Sequence, residues 1–349
     1  MRLYRYSSGL VIDENFNSLG PDWSSTDPAN TTIENGSLKL LHSTIRDVTV
    51  LRDVPADANA FEATVNYTPT VEGDQGGLTL FNAANRKVEL LEMADAALTP
   101  LDNIKVVRNG DAYDFYMERG GVFEFIDTVK YNFLKIGFVL KKGNSSGYVP
   151  FYADRFIATK NDCLQVKNLL SGHSIELTSG TVVLSALAGT SGTVELALPH
   201  LIMNGTLRLY DDQGVLIGEQ TADFVGGDVY YYGTFLEIRK NGVSLSESDP
   251  NELGRIQGGV LEAKLELYNP TASPVTNIVM KVEQYLGQFG SEWADIAPDN
   301  AGVPGTYADI LNIPTIDGVQ TVPFWVRIQQ NTAITNIDSV FFSIHLEHD

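Results

Sequence analysis

Apolar and polar residues alternate with a period of two in several short segments of the chain. The clearest segments are residues 61–67, 206–210, 264–268 and 324–328. Because successive side chains of a β-strand point to opposite faces, this alternation is typical of antiparallel sheets with one solvated face. Residues 86–97 also fit a helix, although a strand followed by a loop fits them equally well. The pattern as a whole predicts an all-β protein.

Asn-Gly dipeptides mark turns between these segments. They occur at Asn35, Asn109, Asn204 and Asn241, each with extended sequence on at least one side. Asn and Gly both tolerate the positive φ angles of a type I′ turn, which is the tightest connection between two antiparallel strands. Each dipeptide therefore predicts a β-hairpin.

The strand pattern of the 349 residues is interrupted twice, near residues 160–171 and 241–254. The hydrophobic fraction of 43% is typical of globular proteins, so each part of the chain can form its own core. These breaks predict an N-terminal arm or strand (1–9), a large unit (10–160), a small β-sandwich (161–245) and a last β-sandwich (246–349).

The chain is strongly acidic, with a formal net charge of −20. Residues 1–160 account for −5 of this charge and residues 161–349 for −15. Such a balance argues against nucleic acid as a partner, because that binding requires a basic surface. The acidic half is expected to serve solubility, or to meet a basic partner or divalent cations.

No segment resembles a membrane span, and the first residues lack an apolar signal region. We therefore expect no membrane insertion and a protein made in the cytoplasm. Cys163 is the single cysteine, which excludes an intramolecular disulfide, and no histidine stands near it in the sequence.

Residues 11–158 resemble the concanavalin-A-like, or laminin-G-like, jelly roll that accompanies glycoside hydrolases of the β-xylosidase type. The passages that carry this resemblance, in chain order, are residues 12–16, 33–38, 72–80, 107–116, 135–138 and 152–156. The resemblance implies two large sheets packed face to face. It also implies either carbohydrate binding or a role as a scaffold without sugar binding.

Candidate site residues follow from this resemblance. Tyr67, Tyr113 and Tyr116 lie on strands that match the family, and they are the predicted glycan-binding residues, the alternative being that they pack between the sheets. Family members often hold a structural calcium ion. In this sequence Asp13, Glu14 and Asp154 occupy matching places, the alternative being that they are ordinary hydrogen-bonding acids.

Hydrolysis of a glycan requires two carboxylates that flank the scissile bond. Catalytic relatives of the jelly roll carry them as Glu-x-Asp-x-(x)-Glu on one strand, whereas Glu89 and Glu92 have the wrong spacing. His345 and His348 are three residues apart, so in a strand they point to opposite faces. We therefore expect no enzyme and no cofactor apart from the calcium ion.

The last unit resembles the immunoglobulin-like module found at the ends of tailed-bacteriophage structural proteins. This resemblance depends on residues 269–271 and 322–327, and Trp293 and Trp325 are the candidates for its core. The predicted fold is thus a concanavalin-A-like jelly-roll sandwich followed by two smaller immunoglobulin-like β-sandwiches.

Together the resemblances imply a non-enzymatic structural component of a tailed-phage particle, with a tail or baseplate appendage favoured. Its lectin-like unit would bind a host-surface glycan, and its partners would be other virion proteins and copies of itself. Its location would be the virion, assembled in the host bacterial cytoplasm. The alternatives are a capsid decoration or collar protein whose jelly roll is only scaffold, or a bacterial carbohydrate-binding protein.

Overall fold

The computed structural model describes residues 3–94, 100–144, 146–246, 251–256, 259–284, 293–329 and 340–349. These residues form thirty β-strands and one short 3-10 turn, Pro28–Asn30, and none of them lies in an α-helix. The predicted all-β fold class is confirmed. No helix among them is long and apolar enough to cross a membrane.

The strands follow one another along the chain in three groups. The first group is β1 (Leu3–Ser7), β2 (Leu10–Glu14), β3 (Ser24–Ser25), β4 (Thr31–Glu34), β5 (Ser37–Leu40), β6 (Val48–Asp53), β7 (Ala60–Tyr67), β8 (Gln75–Phe81), β9 (Lys87–Met93), β10 (Leu101–Asn109), β11 (Ala112–Arg119), β12 (Val122–Val129), β13 (Lys135–Leu140) and β14 (Phe151–Thr159). The second is β15 (Cys163–Lys167), β16 (Ser174–Ser179), β17 (Val182–Leu187), β18 (Val194–Ala197), β19 (Ile202–Tyr210), β20 (Leu216–Val225) and β21 (Val229–Tyr232). The third is β22 (Glu237–Lys240), β23 (Val243–Ser244), β24 (Val260–Tyr268), β25 (Val275–Gln284), β26 (Ala294–Asn300), β27 (Val303–Pro304), β28 (Ile310–Ile316), β29 (Thr321–Gln329) and β30 (Phe342–Glu347).

Two sheets form the first sandwich. The larger has eight strands in the order β12-β11-β10-β7-β14-β5-β4, with β2 also paired to β14. The smaller has the order β3-β6-β13-β8-β9. Aromatic side chains dominate the core between them, among them Phe16, Trp23, Phe61, Phe138 and Phe156. Residues 86–97 fitted either a helix or a strand followed by a loop, and the structure shows a strand, β9, at residues 87–93. Residues 95–97 lie outside the described residues.

The middle sandwich includes the beginning of the chain. Strand β1 lies at the edge of a four-stranded sheet, β1-β21-β15-β18, in which β15 and β21 run parallel. The facing sheet has the order β17-β16-β19-β20. Leu3 is buried among the apolar side chains of this unit, which include Leu164 and Tyr230. The predicted N-terminal arm or strand is thus built into the middle sandwich rather than the first.

The last sandwich pairs a six-stranded sheet, β23-β22-β24-β29-β26-β27, with a three-stranded sheet, β28-β25-β30. Trp293 is buried in its core, as expected, together with Phe324 and Val326. Trp325 lies between those two residues on β29 and therefore faces outward, where its indole N–H donates a hydrogen bond to Asp299 at 2.6 Å. The expectation that Trp325 belongs to the core was wrong. The pairing also places β22 and β23 here, ahead of the predicted boundary at residue 246.

The Asn-Gly predictions hold at three positions and fail at one. Asn35-Gly36 and Asn241-Gly242 have the positive φ angles of type I′ turns. Asn109-Gly110 lies at the β10–β11 hairpin. Asn204-Gly205 instead lies inside β19. A Cβ atom on Gly205 would lie 2.5 Å from the carbonyl oxygen of Thr178. This glycine therefore permits a close approach between strands rather than a turn.

Candidate functional site

A row of polar side chains crosses the outer face of the eight-stranded sheet. Lys105 on β10 lies opposite Glu62 on β7 and opposite Tyr116 on β11. The residues that alternate with them, such as Phe61 and Phe115, point into the core. The row therefore lies on the side of the sheet that faces away from the core, and we call this side the outer face.

The connection between β18 and β19, residues 198–201, covers part of the outer face. The ammonium group of Lys105 donates a hydrogen bond to the Pro199 carbonyl oxygen at 2.6 Å. The Leu201 N–H donates to Glu62 Oε2 at 2.7 Å, and His200 Nδ1 lies 2.9 Å from Glu62 Oε1. The middle sandwich thus docks on the first through this loop, and docking buries Glu62 and Lys105 on a face that would otherwise be solvated.

His200 lies between two carboxylates. Its Nε2 is 3.7 Å from Oε1 of Glu118, which is also buried and accepts a hydrogen bond from the Asn103 amide. The hydrogen bond to Glu62 raises the pKa of His200, while burial opposes this shift. Burial lowers the pKa of Lys105, and the neighbouring acids Glu62 and Glu118 counteract it.

Lys105 also contacts aromatic rings. Its ammonium nitrogen lies 4.5 Å from the ring centroid of Phe123 and 5.3 Å from that of Tyr116. Tyr116 in turn packs edge-on against Phe125, with 5.7 Å between ring centroids. These cation–π and aromatic contacts hold the half-buried Tyr116 ring in one orientation.

A cleft opens between the outer face and the middle sandwich. Its volume is about 510 Å³, within the range of small-molecule sites. Lys105, Tyr116 and Asp162 provide its polar groups, and the rest of its wall is mainly apolar, formed by Val182, Leu184, Ala197, Leu198 and Pro199. We call this space the Tyr116 cleft. It combines an aromatic ring with one cationic and one anionic group in a mainly apolar wall, a composition common among small-molecule sites.

The three predicted glycan-binding tyrosines do not lie together. Tyr67 is 1% exposed, and its hydroxyl donates a hydrogen bond to the buried Asp74 at 2.5 Å. Tyr113 is 9% exposed and packs on Phe133, with ring centroids 4.5 Å apart. Both tyrosines occupy core-facing positions, so their rings present no face to a ligand. Tyr116 alone of the three lies on the outer face, and its role in glycan binding stays a prediction.

The predicted calcium ligands are not brought together either. Both carboxylate oxygens of Asp13 accept hydrogen bonds from the Arg155 guanidinium, at 2.7 and 2.8 Å. Asp154 instead accepts a hydrogen bond from Ser37 at 2.6 Å. The β2–β14 pairing begins at Glu14 and Phe156, so Asp154 lies beyond it. Within the described ranges no group of three or more Asp, Glu, His or Cys residues has an arrangement that could hold a metal ion.

Four residues of this region were not singled out from the sequence: Glu62, Lys105, Glu118 and His200. Strand alternation was the available signal, because it places the first three on the polar face of their strands. Their proximity depends on strand order and register, and the position of His200 depends on how the middle sandwich docks. Neither property can be read from local periodicity.

No protein-family model matches the chain, and no curated protein matches it. Solved structures similar to it include the GH43 protein BlXynB from Bacillus licheniformis, at 16% identity and a TM-score of 0.36, covering 42% of this chain and 39% of that one. A GH43B protein of the Bacteroides ovatus xyloglucan PUL has 17% identity and a TM-score of 0.34, covering 42% and 38%. A xylan β-1,4-xylosidase from Bacillus halodurans C-125 has 13% identity and a TM-score of 0.30, covering 45% and 38%. The chain thus spans about two fifths of the length of these proteins.

These comparisons correct the expectation that the chain is not an enzyme, because the matched structures are those of glycoside hydrolases. At such low identity and TM-score, the likeness itself assigns no reaction to this chain. Two carboxylates can also come together without a Glu-x-Asp-x-Glu run on one strand. Glu62 and Glu118 come from different strands, and the structure places them near opposite nitrogens of the His200 ring.

Proposed function

We propose that the protein binds carbohydrate in the Tyr116 cleft. The observation that carries this proposal is the half-buried Tyr116 ring beside Lys105 and Asp162 in one cleft. An aromatic face packs against the C–H face of a sugar ring, while charged groups form hydrogen bonds with its hydroxyls. Lys105 uses one N–H for Pro199, and an ammonium group has two further donors.

The test is a glycan array with the full chain, followed by titration of the best ligand. Tyr116→Ala removes the ring from the cleft, and we expect it to weaken binding at least about tenfold. Tyr152→Ala is the matched control. Tyr152 is also half-buried in the eight-stranded sheet and also has a lysine over its ring, Lys39, at 5.5 Å. The control should bind as the unaltered protein does.

Two results would contradict this proposal. One is the absence of binding to any glycan on the array. The other is an equal loss of affinity in the Tyr116 and Tyr152 variants, which would show that the loss reflects a general disturbance of the sheet. Thermal unfolding of both variants separates a lost contact from a lost fold.

We propose further that the protein acts as a component of a tailed-phage particle, in the tail or baseplate, with other virion proteins and copies of itself as partners. The resemblance of the last unit to phage modules supports this role. The acidic charge of residues 161–349 suits a basic docking partner. Stoichiometric co-purification with particles, weakened by added salt, is the expected result. Its absence from purified particles would leave the alternative of a bacterial carbohydrate-binding protein.

A further inference from the structure

The polar row on the outer face reaches the edge of the eight-stranded sheet. Strand β12 is the edge strand, and its Phe125 lies opposite Tyr116 on β11. Since Tyr116 lies opposite Lys105, and Lys105 opposite Glu62, the row crosses four neighbouring strands. Phe125 is therefore the outermost residue of the row on which the Tyr116 cleft is built.

Exposure increases along the row from its inner end to the sheet edge. Glu62 is 4% and Lys105 7% exposed, because the loop at residues 198–201 covers both. Tyr116 is half-buried, and Phe125 is 57% exposed. Along this row, a molecule held in the Tyr116 cleft can therefore extend toward Phe125, whereas the loop blocks the direction of Glu62.

The surroundings of Phe125 suit a sugar ring. Its ring contacts that of Tyr116, with centroids 5.7 Å apart, so a ligand group on Phe125 adjoins one in the cleft. Asp114 lies two residues before Tyr116 on the same face of β11. Its carboxylate oxygens accept hydrogen bonds from Asn109 at 2.9 Å and Thr128 at 2.5 Å, which orient the group. The carboxylate keeps further acceptor positions for hydroxyls, beside an aromatic ring that can pack on the C–H face of a sugar.

A second polypeptide strand is a poor occupant of this sheet edge. The register between β11 and β12 skips Ile126, which forms a β-bulge. Glu124 and Asp127 lie opposite Met117 and Phe115, whose side chains point into the core, so β12 carries charges on the side that a sheet normally keeps apolar. Bulges and such inward charges keep a free edge strand from pairing with another strand. The exposed ring of Phe125 thus favours a ligand that lies on the outer face over a strand added at the edge.

We propose that the ligand of the Tyr116 cleft is an oligosaccharide rather than a single sugar, and that its next sugar residue packs on Phe125 and donates a hydroxyl hydrogen bond to Asp114. This inference rests on the carbohydrate binding proposed above and specifies the length of the ligand.

The experiment titrates the full chain with glucose, galactose, mannose and xylose, and with linear trisaccharides built from each of them. At least one trisaccharide should bind about tenfold more tightly than its monosaccharide, because a further sugar packs on an aromatic ring. Phe125→Leu keeps an apolar side chain against Tyr116 but removes the ring, so it should bring the ratio of the two affinities close to one. Tyr116→Ala should weaken the binding of both.

Val122→Ala is the control variant. Val122 is also exposed on β12, at 63%, but it lies opposite Arg119 on the other side of the strand. This variant should retain the ratio of the unaltered protein.

The outcomes separate this inference from the proposed function. If no sugar of either length binds, both are wrong. If monosaccharides bind and no trisaccharide binds more tightly, carbohydrate binding in the cleft stands and the inference fails. The inference also fails if Phe125→Leu retains the ratio of the unaltered protein, or if Val122→Ala lowers that ratio equally.

Discussion

Asp74 is a fully buried carboxylate at the end of the first sandwich. It accepts hydrogen bonds from the Tyr67 hydroxyl at 2.5 Å and from the Val149 N–H at 2.9 Å, and His42 Nε2 lies 2.9 Å from it. Burial raises the pKa of Tyr67, and so does its hydrogen bond to Asp74. The hydroxyl therefore stays protonated and acts as a donor. This network gives Tyr67 a structural task, which explains why a tyrosine occupies a core position.

Replacement of Asp74 by Ala should destabilise the protein strongly. The substitution leaves the Tyr67 hydroxyl, the Val149 N–H and the His42 ring without their buried partner, at a cost of about 3 kcal/mol or more in free energy of unfolding. Urea unfolding of the first sandwich, followed by fluorescence of the buried Trp23, measures this loss. Asp154→Ala is the control, because Asp154 is exposed and its loss should cost less than about 1 kcal/mol. Equal midpoints for the two variants would show that the network contributes nothing.

At the scale of strands and loops, the alternating pattern and the turn dipeptides anticipated much of the fold. Period-two segments became strands, and three of the four Asn-Gly dipeptides lie at hairpins. The hairpin predicted at Asn204-Gly205 was wrong, because the sequence alone does not distinguish a glycine inside a strand from a glycine in a turn. Tyr113 and Tyr116 lie on opposite faces of β11. Which of the two faces the core can be assigned only when the core-facing neighbours on β11 are known. Contacts that depend on docking, such as those of His200, have no local signal.

The β18–β19 loop should hold the first two sandwiches together in a pH-dependent way. His200 faces Glu62, Glu118 and Lys105. Its hydrogen bond to Glu62 raises the folded-state pKa of His200 above the unfolded value of about 6.5. The protonated ring therefore stabilises the docked state fully below that value, and this contribution is lost as the pH rises through the folded pKa.

Urea midpoints measured between about pH 6 and 8 test this expectation. The stability of the unaltered protein should fall with rising pH in that window, whereas His200→Gln, which keeps a polar side chain but cannot titrate, should show a flatter profile. His173→Gln is the control and should retain the slope, because His173 is buried in the middle sandwich and forms no ion pair with any residue that the structure describes. Parallel profiles for the unaltered protein and His200→Gln would remove His200 as the source.

At the scale of the whole molecule, the chain passes between the first and middle sandwiches twice. It crosses from β1 to β2 through Gly9 and returns from β14 to β15 through residues 160–162. The two crossings contact each other, since the Lys160 N–H donates to the Gly9 carbonyl oxygen at 2.8 Å. The Gly9 N–H in turn donates to the fully buried Asp228 at 2.8 Å. Burial raises the pKa of Asp228, and its backbone hydrogen bonds counteract the shift.

Gly9 is the residue on which this junction depends most directly. A Cβ atom there would lie 2.0 Å from the Gly226 carbonyl oxygen and 2.6 Å from the Asp228 nitrogen, so Gly9→Ala must push the crossing away from the β20–β21 turn. We expect a loss of about 1–3 kcal/mol, together with faster proteolytic cleavage near residues 8–9. Gly189→Ala is the matched control, because a Cβ atom at that position meets nothing within 4 Å. The control should unfold within about 0.5 kcal/mol of the unaltered protein. If Gly9→Ala did the same, the first two sandwiches would be joined chiefly by the His200 loop, and the pH profile of His200→Gln would then account for most of their coupling.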